Sequence, residues 1–231
     1  RILRKHGGLL GFESAFTIYD EDDKKRVILN VMKKLDLDPK NFDPRTVMGM
    51  ISRAKDKLMT PRQFSADAAG DYFREKVADV YRDYEKAMKK ACALDFDDII
   101  MKTVLLLQNN PEVLEYYQNR WRYIMIDEYQ DMSRPRYALI RALREQRDFS
   151  LFCVGDDWQS IYRFAGSDIG LILDFDKLWE QWGETRMFQI TTTRRFRTSL
   201  IEASGDFVMA DPSLYVKHLH STNEKKDYSL K

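Results

Sequence analysis

Three short apolar runs in the second half of the chain each end in polar or charged residues. They are RYIMID (122–127), FSLFCVGDD (149–157) and TRMFQITTT (185–193). Between the first two lies SRPRYALIRALREQ (133–146), with Ser133 placed as a helix cap; after the third comes RRFRTSLIEASGDFV (194–208), a turn and helix. Strand-helix-strand alternation with nearly continuous apolar strands predicts a parallel sheet buried on both faces. In an open sheet of this kind, ligands bind beyond the C-terminal strand ends. Three clusters fall there: Asp127–Glu128; Gly155–Asp156–Asp157 with Gln159; and Thr192–Thr193–Arg194–Arg195.

Residues 1–118 have a different period. DEDDKKRVILNVMKKLDL (20–37) opens with acids, which favour a helix N-terminus, and repeats Val27, Ile28, Val31 and Leu35 at helical spacing. DPKNFDP (38–44) is a turn, and RTVMGMISRAKDKLM (45–59) a second helix. A long helix is expected over 63–93, and a further one at FDDIIMKTVLLLQ (96–108), stopped by NNP. The expected fold class is α/β: a helical subdomain (1–118) followed by an incomplete parallel sheet flanked by helices (119–231). The C-terminal HLHSTNEKKDYSLK reads as polar and frayed.

Composition bounds the class. At 44% hydrophobic the 231 residues can bury a core. With 38 Lys and Arg against 37 Asp and Glu, net charge says nothing about partners. Cys92 and Cys153 lack metal-type spacing and read as buried thiols in a reducing compartment. No stretch approaches about 18 uninterrupted apolar residues, so no membrane span is expected.

The strand-end clusters are the parts that nucleotide phosphate chemistry needs. An Asp can hold Mg²⁺ directly or through water. A neighbouring Glu can orient or deprotonate water, a Gln can sense a terminal phosphate, and an Arg can neutralise charge in the transition state. Each cluster by itself also fits a cap, a turn or a solvated face; the specificity lies in their order at three successive strand ends. Asp127, Glu128, Asp156 and Asp157 alternatively suit a two-metal nuclease, which leaves Gln159 and Arg195 without roles.

IDEYQD, VGDDWQSIYRFAGSDI and TTTRRFR resemble motifs II, III and IV of superfamily 1 DNA helicases of the UvrD/Rep/PcrA type. The motif III wording is most similar to that of the DNA helicase IV group. RILRKHG, LDFDDII and PEVLEYYQNRWRYIMIDEYQD resemble the helical 1B subdomain and its return into subdomain 1A. The resemblance runs over roughly residues 1–210. It implies a RecA-like sheet, an ATP-dependent 3′-to-5′ helicase, ATP and Mg²⁺ as cofactors, and single-stranded and duplex DNA as partners. It implies a cytoplasmic, bacterial nucleoid-associated setting. By resemblance Asp127 coordinates Mg²⁺ and Glu128 activates the attacking water. Gln130 and Asp131 connect the nucleotide site to its neighbours, Gln159 senses the γ-phosphate, and Arg195 contacts it. Tyr162 and Phe164 match aromatic positions near single-stranded DNA, where stacking contributes about 1–3 kcal/mol per base; core packing is the other use of such rings.

Two departures stand out. Arg194 occupies a position where many relatives carry an adenine-stacking Tyr; either its planar guanidinium stacks instead or adenine recognition weakens. RFAGS (163–167) replaces the GWRGA of many relatives. No G-x-x-x-x-G-K-[ST] phosphate cradle occurs in the sequence. The resemblance therefore implies an internal segment, subdomain 1B plus the later part of 1A, inactive alone, with an exposed sheet edge able to self-associate. A non-enzymatic DNA-binding or interaction module is the rival expectation. Arg45, Arg53, Lys55 and Lys57 either face DNA phosphates or lie on a solvated helix face, and the basic run Arg134, Arg136, Arg141, Arg144 and Arg147 is open in the same way.

Overall fold

The computed structural model describes residues 1–145, 150–162 and 166–222. The chain packs as two compact units: 1–124 with 133–150, and 125–132 with 151–231.

The first unit is helical. After α1 (Ile2–His6) and β1 (Thr17–Ile18) come α2 (Glu21–Lys34), α3 (Pro44–Asp56), α4 (Pro61–Asp67) and α5 (Tyr72–Lys90). Then follow β2 (Ala93–Leu94), α6 (Phe96–Asn109) and α7 (Pro111–Arg120). The helices begin where side chains can satisfy free backbone amides. Asp20 accepts from the Asp23 amide (2.9 Å), and Asp43 accepts from the Thr46 amide (2.9 Å). The long helix expected over 63–93 is two helices, α4 and α5. Gly70 sits at φ +86°, which ends one helix, and Asp71 caps the next by accepting from the Arg74 amide (3.1 Å). The first half also holds strands that its pattern did not suggest: β1 pairs with β2 in parallel, Thr17 opposite Ala93.

The main core of this unit joins Ile28, Val31 and Met32 of α2, Val47 and Ile51 of α3, and Val77, Val80, Tyr81 and Tyr84 of α5. Beside this core lies a buried ionic cluster. Lys55 of α3 contacts Asp95 (2.8 Å), Asp98 (2.9 Å) and Glu85 (3.3 Å). Lys24 of α2 reaches Asp97 and Ser52 (both 2.7 Å), and Lys102 reaches Glu85 (2.6 Å) and Asp98 (3.1 Å). The Tyr84 hydroxyl donates to Asp95 (2.7 Å). Asp95 and Asp98 also form the reciprocal cap of α6: each carboxylate accepts the other's amide (2.7 and 3.3 Å). Lys55 is thus wholly buried rather than available to DNA phosphates, whereas Arg45, Arg53 and Lys57 are exposed.

The second unit takes up the chain within β3 (Tyr123–Ile126). α8 (Arg134–Arg144), the helix expected there, belongs to the first unit and leads to β4 (Ser150–Cys153). The second unit continues with α9 (Gly170–Leu173), α10 (Phe175–Trp179), β5 (Thr192–Thr193), α11 (Thr198–Val208) and β6 (His220–Ser221). The structure is a mixed α/β fold, and β3 neighbours β4 as the alternation predicted. These strands are half-buried, not buried on both faces: Tyr123 and Met125 are 72% and 76% exposed, while Ile124 and Ile126 turn inward. Side chains alternate faces along a strand, and one face here carries no layer.

The third expected strand shrinks to Thr192–Thr193, whose parallel partner is β6, with Thr192 opposite His220. Phe188 and Ile190, 84% and 85% exposed, gain no burial that would extend it. His220 and Ser221 lie in a strand where fraying was expected, while residues 223–231 of that expectation fall outside the described residues. Cys92 and Cys153 are free thiols, half-buried rather than buried; burial pushes the Cys153 thiol up to about 12. Among the described residues no helix is long and apolar enough to cross a membrane.

Two outcomes follow from the ionic cluster. Lys55→Met strands two buried carboxylates and should destabilise the first unit by about 3–5 kcal/mol, whereas Lys86→Met, which removes an exposed pair with Asp83, should cost under about 1 kcal/mol; urea unfolding checks both. Three lysines face four acids, and the acid that yields is the deeply buried Asp98, pushed up to about 6 by burial and by Glu85 and Asp95 against the pull of Lys55 and Lys102. A raised carboxyl binds its proton more tightly in the folded state. Its contribution to stability therefore declines as pH climbs from about 3.8 through about 6. Asp98→Asn should flatten that part of the stability-pH profile.

Candidate functional site

The acids at the end of β3 are set by an unusual backbone. Glu128 has φ +51°, in the left-handed region that few residues other than glycine adopt. Its amide donates to Asp127 Oδ1 (3.0 Å), and a 3-10 turn, Tyr129–Asp131, follows at once. Asp127 and Glu128 are exposed, while Tyr129 and Gln130 are buried. The turn is anchored from below. The Trp179 indole donates to the Tyr129 hydroxyl (3.2 Å), the Phe175 ring meets Tyr129 edge-on at 5.2 Å, and the Asp168 amide donates to the Met132 carbonyl (2.9 Å).

The end of β4 is joined to this turn. The Val154 amide donates to the Ile126 carbonyl (2.8 Å), and the Val154 carbonyl accepts the Tyr129 amide (2.9 Å). Gly155 follows. A Cβ there would lie 3.0 Å from Ile172 Cδ1, 3.1 Å from Gln130 Oε1 and 3.1 Å from Tyr129 Cβ, so only glycine admits so close an approach. A second 3-10 turn, Asp157–Gln159, comes next, and Asp156 caps it by accepting the Trp158 amide (3.1 Å).

One buried side chain spans the two loops. Gln130, 2% exposed, donates through Nε2 to Glu128 Oε2 (2.7 Å) and accepts the Asp156 amide on Oε1 (3.0 Å). Asp156 Oδ2 in turn accepts from Gln159 Nε2 (2.7 Å). A continuous chain of hydrogen bonds therefore runs Glu128–Gln130–Asp156–Gln159. Burial alone would raise the Asp156 carboxyl, but bonds from Lys217 and Gln159 hold it below the usual carboxylate range.

The structure thus brings together Asp127, Glu128, Gln130 and Gln159. Arg194 and Arg195 lie outside this chain of bonds, exposed after β5, where the Arg195 amide donates to Thr193 Oγ1 (3.3 Å). Tyr162 is 47% exposed, and Phe164 lies outside the described residues, as do Ala165 and Arg147. Among the described residues no group of three or more His, Cys, Asp or Glu is placed to hold a metal ion, and Lys217 pairs with both Asp156 and Asp157. Lys217 and Tyr215, which bind this loop from some 60 residues downstream, gave no signal in the sequence; their segment is simply polar and aromatic.

Known proteins are similar to this chain. The family described as UvrD/REP helicase N-terminal domain matches residues 1–180. The chain is 40% identical over 225 residues to "ATP-dependent DNA helicase PcrA" of Bacillus subtilis, covering 97% of this chain and 30% of that protein. It is 38% identical over 228 residues to the protein of the same name from Staphylococcus epidermidis (98% and 30%) and 39% identical over 224 residues to that from Staphylococcus aureus (96% and 30%). The chain spans about 30% of the length of the curated relatives it matches.

Gly155→Ala should destabilise the second unit by about 1–3 kcal/mol, because backbone and buried side chains must shift to admit the methyl. A thermal melt followed by tryptophan fluorescence checks this, with Gly8→Ala as a comparison site where a Cβ meets nothing within 4 Å and the backbone is not at positive φ.

Proposed function

The chain belongs to the UvrD/REP helicase family, and from that membership we propose that it supplies the water-activating and phosphate-sensing half of the ATP site of an ATP-dependent 3′-to-5′ DNA helicase. The observation that carries this reading is the hydrogen-bonded chain Glu128–Gln130–Asp156–Gln159, which links two loops at adjacent strand ends. On this reading residues 1–118 form the helical 1B-type subdomain, and 119–231 the later part of a RecA-like 1A subdomain.

Glu128 is the general base. Its carboxylate stands at the strand end with one oxygen held by Gln130, which fixes its orientation while the other oxygen takes the proton of water. Gln159 reads the terminal phosphate through its side-chain amide. Arg195 neutralises charge on the phosphoryl group, and Arg194 stacks beside the base; both must approach from the end of β5 when nucleotide binds. Asp127 fits a Mg²⁺ ligand of the usual nucleotide-site kind, a single exposed carboxylate working beside substrate phosphates. Mg²⁺ held by Asp127 would supply charge neutralisation to the substrate phosphates. Tyr162 and Phe164 stack on single-stranded DNA. The apolar side chains exposed on β3 and β4, Met125 and Phe152 among them, support self-association through that sheet. A cytoplasmic, nucleoid-associated setting follows from the DNA substrate.

The 231-residue chain should show no Mg²⁺-ATP turnover above a Glu128→Gln control, because its sequence holds no phosphate cradle. In the full-length protein carrying these residues, Glu128→Gln should lower DNA-stimulated ATP turnover by about 10²-fold or more while ATP still binds. Undiminished turnover in that variant would overturn the assignment of the base.

A further inference from the structure

The loop that carries Gln159 is clasped by a distant segment that no comparison assigns. Lys217 Nζ contacts Asp156 Oδ1 and Asp157 Oδ1 together, and lies 5.0 Å from the centre of the Trp158 ring. Two residues earlier, the Tyr215 amide donates to Asp157 Oδ2 (2.7 Å) and the Tyr215 carbonyl accepts from the Trp158 indole (2.9 Å). The Tyr215 hydroxyl donates to the Leu173 carbonyl (3.0 Å), which pins the segment to α9. Asp157, 3% exposed, is therefore held from two sides. Trp158 is backed by α11, where a Cβ on Gly205 would come within 3.8 Å of its ring.

Asp156 is the shared member. Its Oδ1 faces Lys217 and the Trp158 amide, while its Oδ2 accepts from Gln159. A carboxylate is one delocalised charge, so a cation on one oxygen weakens the other as an acceptor. The N–H that Gln159 gives to Asp156 ties the amide to that carboxylate, and the direction of its second N–H is fixed by the same bond. The strength of the Asp156 bond thus sets how readily Gln159 moves to a nucleotide.

We propose that Lys217 is a positioning residue of the ATP site: by neutralising Asp156 and Asp157 it holds the Gly155–Gln159 loop in place and lets Gln159 leave Asp156 for the terminal phosphate. This rests on the reading of Gln159 as the phosphate sensor. Without the lysine, Asp157 is buried without its counter-ion, and Asp156 grips Gln159 with full charge. The defect belongs to the step in which Gln159 engages phosphate, not to nucleotide capture.

The test is ATP turnover by the full-length protein carrying these residues, with single-stranded DNA present. Lys217→Met should lower kcat about tenfold or more, the scale of one charge-assisted hydrogen bond, with KM for ATP within about twofold. Asp156→Asn, which removes the charge that grips Gln159 while leaving Asp157 unpaired, should restore part of that loss when added to Lys217→Met. Lys217→Arg, whose fork can serve both acids, should keep kcat near wild type. Wild-type kcat in Lys217→Met, a change confined to KM, or a double variant worse than the single would each overturn the proposal. If Lys217→Met does not fold, a low kcat in a well-folded Lys217→Arg overturns it, and a wild-type kcat there sustains it. Glu128→Gln run alongside separates the two claims: turnover that survives it defeats the reading of the site itself, whatever Lys217 does.

Discussion

Everything at the candidate site depends on one amide. Gln130 is buried and uses both ends of its side chain, donating to Glu128 and accepting from Asp156. An amide can do this where an ionised carboxylate of that length, which only accepts, cannot, because it carries donor and acceptor side by side in a plane. Inside the protein such a bond is stronger than in water, and leaving either end unmet costs the full desolvation of that group. The two loops are thereby locked to one geometry. Gly155 is the steric counterpart of this lock, since a Cβ there would crowd the Gln130 oxygen at 3.1 Å.

The two units are organised by different physics. The first buries an apolar core and, beside it, an ionic cluster that ties α2, α3, α5 and α6 through Lys24, Lys55, Glu85 and Asp95. Charges so deeply buried are tolerated because nearly every one has several partners, and their mutual geometry fixes where α6 begins. The second unit holds its loops with aromatic anchors, Tyr129 on Trp179 and Trp158 under Tyr215, and leaves Asp127 and Glu128 at the surface. Rigid support beneath exposed polar groups is what a site of chemistry requires.

Much of this was legible in the residues. The acids of 127–128 and 156–157 follow apolar runs, so their place at strand ends could be read from pattern alone, and the acids from Asp20 onward announced α2. Other features were hidden for physical reasons. Lys24 and Lys55 have the spacing of a solvated face, and only three-dimensional packing shows that acids 30 and more residues away meet them. Gly70–Asp71 was a break-and-cap signal masked by the strong helical period on both sides of it. The run 185–193 has strand composition, yet pairing needs a layer to bury against, and Phe188 and Ile190 have none. Lys217 was unreadable because its meaning comes from Asp156 and Asp157, some 60 residues earlier.

The central claim is that Gln130 joins the Glu128 turn to the Gly155–Gln159 loop. Amide hydrogen exchange at Asp156 reads that bond directly, since its N–H has the buried Gln130 oxygen as its acceptor. Exchange slowed in the wild-type chain and returned toward the free rate in Gln130→Leu, with the protection of α5 unchanged, is the predicted result. An Asp156 amide that exchanges freely in the wild type, or equally slowly in both, would contradict the account.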